Sequence, residues 1–552
     1  MRISPIMLII AILVMGCNSV QGTSQTNTLT AEVETPIPPG YPWWNEAVGY
    51  EIFVRSFYDS NGDGIGDFNG INEKLDYLND GDPNTTTDLG ITTMWLMPIF
   101  PSPSYHGYDV TDYYSVNPQY GTMDDFRQLL EEAHERDIKV VIDMVLNHTS
   151  DQHPWFKEAK KDAASPYRDW YIWSESDPGY NGPWNQDVWH PSLTGYYYGI
   201  FEAFMPDLNY SNPEVTAEMA NVAEFWLDEV GVDGFRLDAA KHLLENKRMQ
   251  ENTSATHEWF QEYRNVYKMI NPNAITIGEL FGNNLASVAS YTNGDQFDLA
   301  FNFELASAMV QSAKSGSALP VLGSLNATDK ILEPQQYSPF LTNHDQNRVM
   351  SELEGNRYKA KVAASLLLTS PGMPFLYYGE EIGMEGMKPD ENIRRPMQWN
   401  AEEFGGFTTS KPWKSPDSKY KFVNVESQNN DPDSLLSHYR NLIQLRNAHP
   451  ALQTGEFQIV KSKNTNVLAS LRSNADESII IVVNTSGEPV SDYELSMAES
   501  NLRPGEKQIT PLMGASEQAT LTVDQSGGFA GFKPLEEIPP YSTLIFLIAD
   551  GP

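Results

Sequence analysis

Short apolar runs recur along this chain at intervals long enough to hold a helix, and several of them end abruptly in a carboxylate. Eight runs read as strands: residues 48–57, 91–97, 140–146, 234–238, 275–279, 297–303, 340–343 and 374–378. Between the second and third, residues 124–136 carry Phe126, Leu129, Leu130 and Ala133 at spacings of three and four, behind Asp124 and Asp125, which predicts an amphipathic helix. Alternating strands and helices favour parallel βα units, and eight such units close a (β/α)8 TIM barrel whose chemistry gathers at the C-terminal strand ends. Asp238 ends the run 234–238, Glu279 ends 275–279, and Asp345 follows Thr342, Asn343 and His344. One acid after a strand is ordinarily a helix cap or a solvated loop residue. Three in matched positions at one rim point instead to a shared site.

The barrel rhythm stops between Asn147 and Met205, where Trp170, Tyr171, Trp173, Trp184, Trp189 and Tyr196 to Tyr198 crowd together. A long insertion after a barrel strand is a place for substrate-specific loops, although most of these aromatics are expected to form a small core. Beyond about Gly455 the texture changes to alternating runs at 467–471, 479–483 and 543–548, broken by Gly, Pro, Asn and Ser, which predicts an antiparallel β-sandwich.

Five segments occur in order: Asp143-Met144-Val145-Leu146-Asn147-His148, Met205-Pro206-Asp207-Leu208-Asn209, and those of Asp238, Glu279 and Asp345. Together they resemble the α-amylase family of glycoside hydrolases, and the likeness covers nearly the whole chain from about Trp43. It implies a barrel in two parts, 43–147 and 207–454, an inserted domain B at 148–206 after strand 3, and a C-terminal domain at 455–552.

The chemistry asks for such residues independently of any family. Breaking an acetal develops positive charge at the anomeric carbon and negative charge on the departing oxygen, so a carboxylate must meet one and a proton donor the other; retaining enzymes hold the pair roughly 5 Å apart. The resemblance implies Asp238 as nucleophile, Glu279 as acid and then base, and Asp345 as the residue holding the sugar's hydroxyls. Glu279 must keep its proton near neutrality while Asp238 stays ionised, and Arg236, two residues away on the same strand face, can keep Asp238 charged. The resemblance also implies that His148 and His344 donate to sugar hydroxyls. Tyr108, in His106-Gly107-Tyr108-Asp109, would stack on the same ring. Arg236, His106, Lys241 and His242 would add substrate contacts. Asp390 and Arg394 match a spacing that holds the neighbouring glucose, with a plain loop ion pair as the alternative.

The run Asp59-Ser60-Asn61-Gly62-Asp63-Gly64-Ile65-Gly66-Asp67 places oxygen ligands at alternate positions around turn-permitting glycines, the front of a calcium loop. Its twelfth position is Gly70 rather than Glu, which argues against an EF-hand sensor, and a metal-free Asx-rich turn is the alternative. By resemblance, a structural Ca2+ would be held by Asp59, Asn61, Asp63, the Ile65 carbonyl and Asp67. A second would use Asn147, Asp207 and the His242 carbonyl, its remaining ligand unassigned. All-oxygen donors favour calcium over a transition metal.

At the N-terminus, Met1 and Arg2 precede an apolar stretch, residues 6–15, too short for a comfortable membrane span. Leu13-Val14-Met15-Gly16-Cys17 resembles a bacterial lipoprotein signal, implying a signal peptide at 1–16 and lipid on Cys17, the sole cysteine. Met15 is unusual in such a signal, so ordinary secretion is the alternative. Residues 17–42 read as a flexible tether. The expected location is extracytoplasmic, in the periplasm or at the cell surface, with membrane contact only through the lipid.

Asp and Glu number 74 against 37 Lys and Arg, a formal charge of −37 that repels nucleic acid and suits a neutral partner, here an α-glucan or maltooligosaccharide. A monomer is the expected state. Relatives that trim isomaltose-type ends usually carry Gln where this chain has Met205 and commonly Val where it has Ala239. The segment from Asp238 to His242 resembles true α-amylases, so endo-hydrolysis of α-1,4-glucan is expected. The Met205 to Asn209 form also occurs in relatives intermediate with neopullulanases and cyclomaltodextrinases, and Arg394-Arg395-Pro396-Met397-Gln398-Trp399 is similar to oligo-1,6-glucosidases. An exo-acting glucosidase is therefore the second reading. A non-catalytic surface glucan-binding protein is a third, although such relatives generally lose an acid and this chain keeps all three.

Overall fold

The computed structural model describes residues 42–550, so the signal, Cys17 and all of the tether but Pro42 lie outside the described residues. Eight parallel strands form one sheet: β1 Gly49–Ile52, β2 Thr93–Leu96, β3 Lys139–Met144, β4 Gly234–Leu237, β5 Ile275–Gly278, β6 Leu299–Phe301, β7 Tyr337–Ser338 and β8 Phe375–Tyr377. From β1 to β7 each strand pairs with the next in the chain, and β1 also pairs with β8, Gly49 opposite Phe375. A parallel bridge from Phe340 to Phe375 nearly closes the ring between β7 and β8. This is the expected TIM barrel.

Two strands differ from the sequence reading. The run at 340–343 is not a strand; β7 lies earlier, at Tyr337–Ser338, and Phe340 contributes only the closing bridge. The long run at 48–57 splits at Phe53 into β1 and a helix, Val54–Phe57, all of it buried. A run buried on every side has no period to tell strand from helix.

Alternation along the strands sorts the core. Trp95, Val141, Ile275, Ile277, Leu299, Phe301 and Phe375 form one cluster, while Met94, Val140, Ile142 and Phe235 join the larger cluster that includes the surrounding helices. The expected helix at 124–136 is found at Met123–His134, its entry fixed by a reciprocal Thr122–Asp125 capping box and its Phe126, Leu129, Leu130 and Ala133 buried.

Between β3 and β4 the chain builds a small three-stranded antiparallel sheet from Trp173–Ser174, Trp189–Ser192 and Gly195–Tyr198. Trp170, Tyr171, Tyr197 and Tyr198 are buried there, whereas Trp184 is 53% exposed. After the barrel, eight antiparallel strands run from Glu456–Ser462 to Thr543–Asp550. Their period of two gives them two faces: Ile480 and Val482 line the domain's own core, and Ile479, Ile481 and Val483 belong to the barrel's. Among the described residues no helix is long and apolar enough to cross a membrane.

Candidate active site

The barrel brings the three acids into one cleft of about 340 Å³. Asp238 directly follows β4 and Glu279 directly follows β5, so the pairing of these neighbouring strands sets both carboxylates side by side. Asp345 sits in the turn after the Phe340 bridge rather than at a strand end. Ala239 takes a left-handed φ of 49°, and its backbone N–H donates to Glu279 Oε2 at 3.2 Å. A non-glycine residue in that region is strained, and here the strain turns the chain back under the acid.

Arg236 is wholly buried and serves more partners than the sequence suggested. Its Nη1 donates to Asp238 Oδ1 at 2.7 Å and to Asp143 Oδ1 at 2.8 Å, and its Nη2 donates to Glu279 Oε2 at 2.7 Å. The expected contact with Asp238 is present, but one cation faces three carboxylates. Burial wins over it at Asp238, with Asp143 and Asp345 adding repulsion, and the pKa is raised to about 6. Burial likewise raises Glu279. Asp345 is the contrast: burial pushes it up, but His344, Arg394 and Arg236 together pull it well below the usual carboxylate range. Two acids thus titrate nearer neutrality and the third stays charged.

Other residues singled out from the sequence fall around the same cleft. Tyr108 donates its hydroxyl to Asp143 Oδ2 at 3.0 Å and stacks on His344 with 5.6 Å between ring centres. The cleft is lined by His106, Tyr108, His148, Lys241, His242, Asp390 and Arg394 along with the acids. Burial lowers His106, and lowers His148 to about 3 and His242 to about 4, which favours the neutral ring at the latter two. The buried Nε2 of His148 has no protein partner among the described residues, leaving it free for a sugar hydroxyl. Lys241 reaches away to Glu251 at 2.8 Å. The ion pair offered as the alternative for Asp390 and Arg394 is present, Arg394 Nη2 donating to Asp390 at 3.2 Å and also to Asp345 at 2.8 Å, and both residues line the cleft. Sequence reasoning did not single out Asp143 as a partner of Arg236, nor Phe201 and Phe281 on the wall; Phe281 is 55% exposed, two residues past Glu279.

The two proposed cation loops differ in their signals. In the first, the Asp59 carboxylate accepts from the N–H groups of Asn61, Gly62 and Gly64, Asn61 Oδ1 from that of Asp63, and Asp63 Oδ1 from that of Ile65. Asp67 caps the helix Phe68–Asn72. Gly64 has φ 93°, and a Cβ there would lie 2.3 Å from the Lys411 carbonyl, so the turn demands glycine. Asp59, Asp63 and Asp67 take part in no ion pair with Lys or Arg among the described residues, but their oxygens accept from the loop's own N–H and O–H groups, as in the metal-free Asx-rich turn given as the alternative. In the second, Asn147 Oδ1 and Asp207 Oδ2 are buried without a partner, and so is Glu245 Oε1. Burial raises Asp207 to about 8, and burial followed by the Asp207 charge raises Glu245. Three orphaned oxygens fit a cation better than they fit an unfilled core. Glu245 was missed because nothing in its local sequence distinguishes it from a surface acid.

Residues 51–455 match the family described as alpha amylase, catalytic domain. The chain is 41% identical over 451 residues to Alpha-amylase 3 of Dictyoglomus thermophilum, covering 80% of this chain and 85% of that one. It is 33% identical over 565 residues to an oligo-1,6-glucosidase of Parageobacillus thermoglucosidasius, covering 85% and 98%. The crystal structure of an alpha-amylase from H. orenii superposes with a TM-score of 0.79 at 43% identity, over 91% of this chain and 99% of that one.

Proposed function

The chain belongs to the α-amylase family of glycoside hydrolases, and from that membership we propose an extracytoplasmic α-amylase that cuts internal α-1,4 bonds of starch, glycogen and maltooligosaccharides. The observation that carries the chemistry is the Arg236 guanidinium, which grips Asp238 and Glu279 at 2.7 Å each in the cleft that also holds Asp345. An Asp238 oxygen attacks the anomeric carbon as the bond to the departing oxygen breaks, and Glu279 gives that oxygen its proton. Glu279, now a carboxylate, takes a proton from water; the water oxygen attacks the same carbon and releases Asp238. Asp345 and Arg394, bonded to each other, face the sugar hydroxyls.

Endo-action is supported by the Asp238 to His242 segment and by higher identity to the two alpha-amylases, 41% and 43%, than to the oligo-1,6-glucosidase, 33%. The exposed faces of Trp184 and Phe281 on the cleft wall offer stacking surfaces for further glucose units. The exo-acting reading draws on the 98% coverage of the oligo-1,6-glucosidase and on the segment from Arg394 to Trp399. Pure protein incubated with soluble starch, maltotriose, isomaltose and pullulan separates them. Mixed oligosaccharides early in starch digestion are expected. Glucose alone from chain ends would overturn endo-action, and no product from any of the four would favour a binding role.

Calcium held by Asp59, Asn61, Asp63, the Ile65 carbonyl and Asp67, and by Asn147, Asp207, Glu245 and the His242 carbonyl, would supply positive charge that fixes loops; no step of the reaction passes through it. Lipid on Cys17 would tether the enzyme, and labelled palmitate incorporated by the native chain but not by C17A tests that.

A further inference from the structure

The acid on the first barrel strand has no part in the reaction just described. Glu51 lies in β1, opposite Trp95 on β2 and Tyr377 on β8, and is buried. Its Oε1 is 2.5 Å from His344 Nδ1. The other ring nitrogen, Nε2, lies 2.7 Å from the Tyr108 hydroxyl and 3.2 Å from Asp345 Oδ2. Because Tyr108 gives its own proton to Asp143, its oxygen is left to accept from Nε2. The ring is wholly buried, edge-on to Trp95 and stacked on Tyr108. A buried carboxylate is costly unless a cation meets it, and among the described residues the ion pair of Glu51 is with His344.

We propose that Glu51 is a positioning residue for glucosyl transfer: with Glu51 at Nδ1 and Asp345 at Nε2, a carboxylate faces each ring nitrogen, and Glu51 thereby holds His344 as a doubly protonated ring whose Nε2–H donates toward Asp345 and Tyr108 beside the cleavage point. A neutral ring has a single N–H and could donate to Glu51 or to Asp345 but not to both, so the Glu51 charge beside Nδ1 is what lets the ring carry both protons and stay fixed between the two carboxylates. The charged groups around the ring are Glu51 from β1, Asp143 from β3, Arg236 and Asp238 from β4, and Asp345 and Arg394, whose Nε donates to the His344 carbonyl at 2.9 Å. Burial lowers the ring's affinity for its second proton, but Asp345 and Glu51 outweigh it and raise His344 to about 10.

The kinetic part of the test rests on the glucan-hydrolase reading; the ring's protonation is read without substrate. E51Q keeps the size of the side chain and an oxygen acceptor but removes the charge. In spectra of protein labelled at histidine Cε1, the His344 signal, identified by its loss in H344N, is expected to stay that of a doubly protonated ring to beyond about pH 8 in the native chain. E51Q is expected to lower its midpoint by at least about one pH unit and kcat on maltooligosaccharides by at least about tenfold, with KM little changed. An E51Q protein with native titration and native kcat would show that Glu51 merely fills space and would overturn the proposal. If E51Q does not fold, as judged by thermal melting, the native titration decides: a His344 ring that becomes neutral below about pH 8 is incompatible with the anchored donor. An inactive native chain would sink the proposed function, while the titration would still report on the Glu51–His344 pair.

Discussion

Asn in place of Asp238 keeps an oxygen for Arg236 but cannot hold a glycosyl group as an ester, so D238N is expected to lose at least about 10³-fold in kcat while still binding maltooligosaccharide by calorimetry. E279Q removes the proton donor. It should lose about 10²- to 10⁴-fold on starch but far less on an aryl glucoside whose leaving group needs no proton, and equal losses on both would assign Glu279 another role. The pH profile of kcat/KM follows from the same pair. Activity falls on the acid side as Asp238, raised to about 6, takes up a proton, and the mechanism requires it to fall on the alkaline side as the proton donor Glu279 gives one up. The limbs belong to the coupled pair, and E279Q should flatten the alkaline one. Asp345, held low by His344 and Arg394, contributes no limb in this range. The three acids were legible in the sequence because each follows a short apolar run inside a longer motif. Glu51 was not: it interrupts an apolar run, and its partner lies 293 residues away. Arg236 was half legible, since Asp238 is its neighbour in sequence while Glu279 and Asp143 are 43 and 93 residues distant.

Elements were read well where a period or a cap marked them and poorly where neither did. The helix Met123–His134 carries both a buried stripe and a capping box. The strand β7 has two residues, too few for any period, and the apolar Phe340 and Leu341 just beyond it drew the reading off by several positions. The loops that would hold cations show the same divide. Alternating oxygens announce the one that begins at Asp59, whereas Asn147, Asp207 and Glu245 meet only in space. A cation held by their orphaned oxygens, as proposed, would contribute to folding. At a hundred times its dissociation constant, calcium binding one site contributes about 2.7 kcal/mol. Chelation is therefore expected to lower Tm, with calcium but not zinc restoring it, and E245Q should shrink the shift. A Tm indifferent to chelator would remove both sites.

Across the whole molecule, the barrel does not end its core at its own boundary. Ile479, Ile481, Val483 and Ile545 of the C-terminal domain belong to the same buried cluster as the barrel's helices, while the intervening Ile480 and Val482 face the other way. Arg472, also wholly buried, donates across the junction to the Thr369 carbonyl at 3.2 Å, at the end of the helix Arg357–Thr369. Four buried aliphatic side chains contribute on the order of 6–12 kcal/mol, comparable with the roughly 5–15 kcal/mol that keeps a domain folded. The barrel and the C-terminal sheet should consequently unfold together, in a single calorimetric endotherm, and a chain cut after Thr454 should expose this face and aggregate. The formal charge of −37 acts on the same transition: self-repulsion opposes the compact state, so added salt should raise its temperature through screening without splitting it. Two resolved endotherms, or a soluble truncated barrel that still melts cooperatively, would mean that the junction carries little of the stability and that the C-terminal domain is an independent appendage.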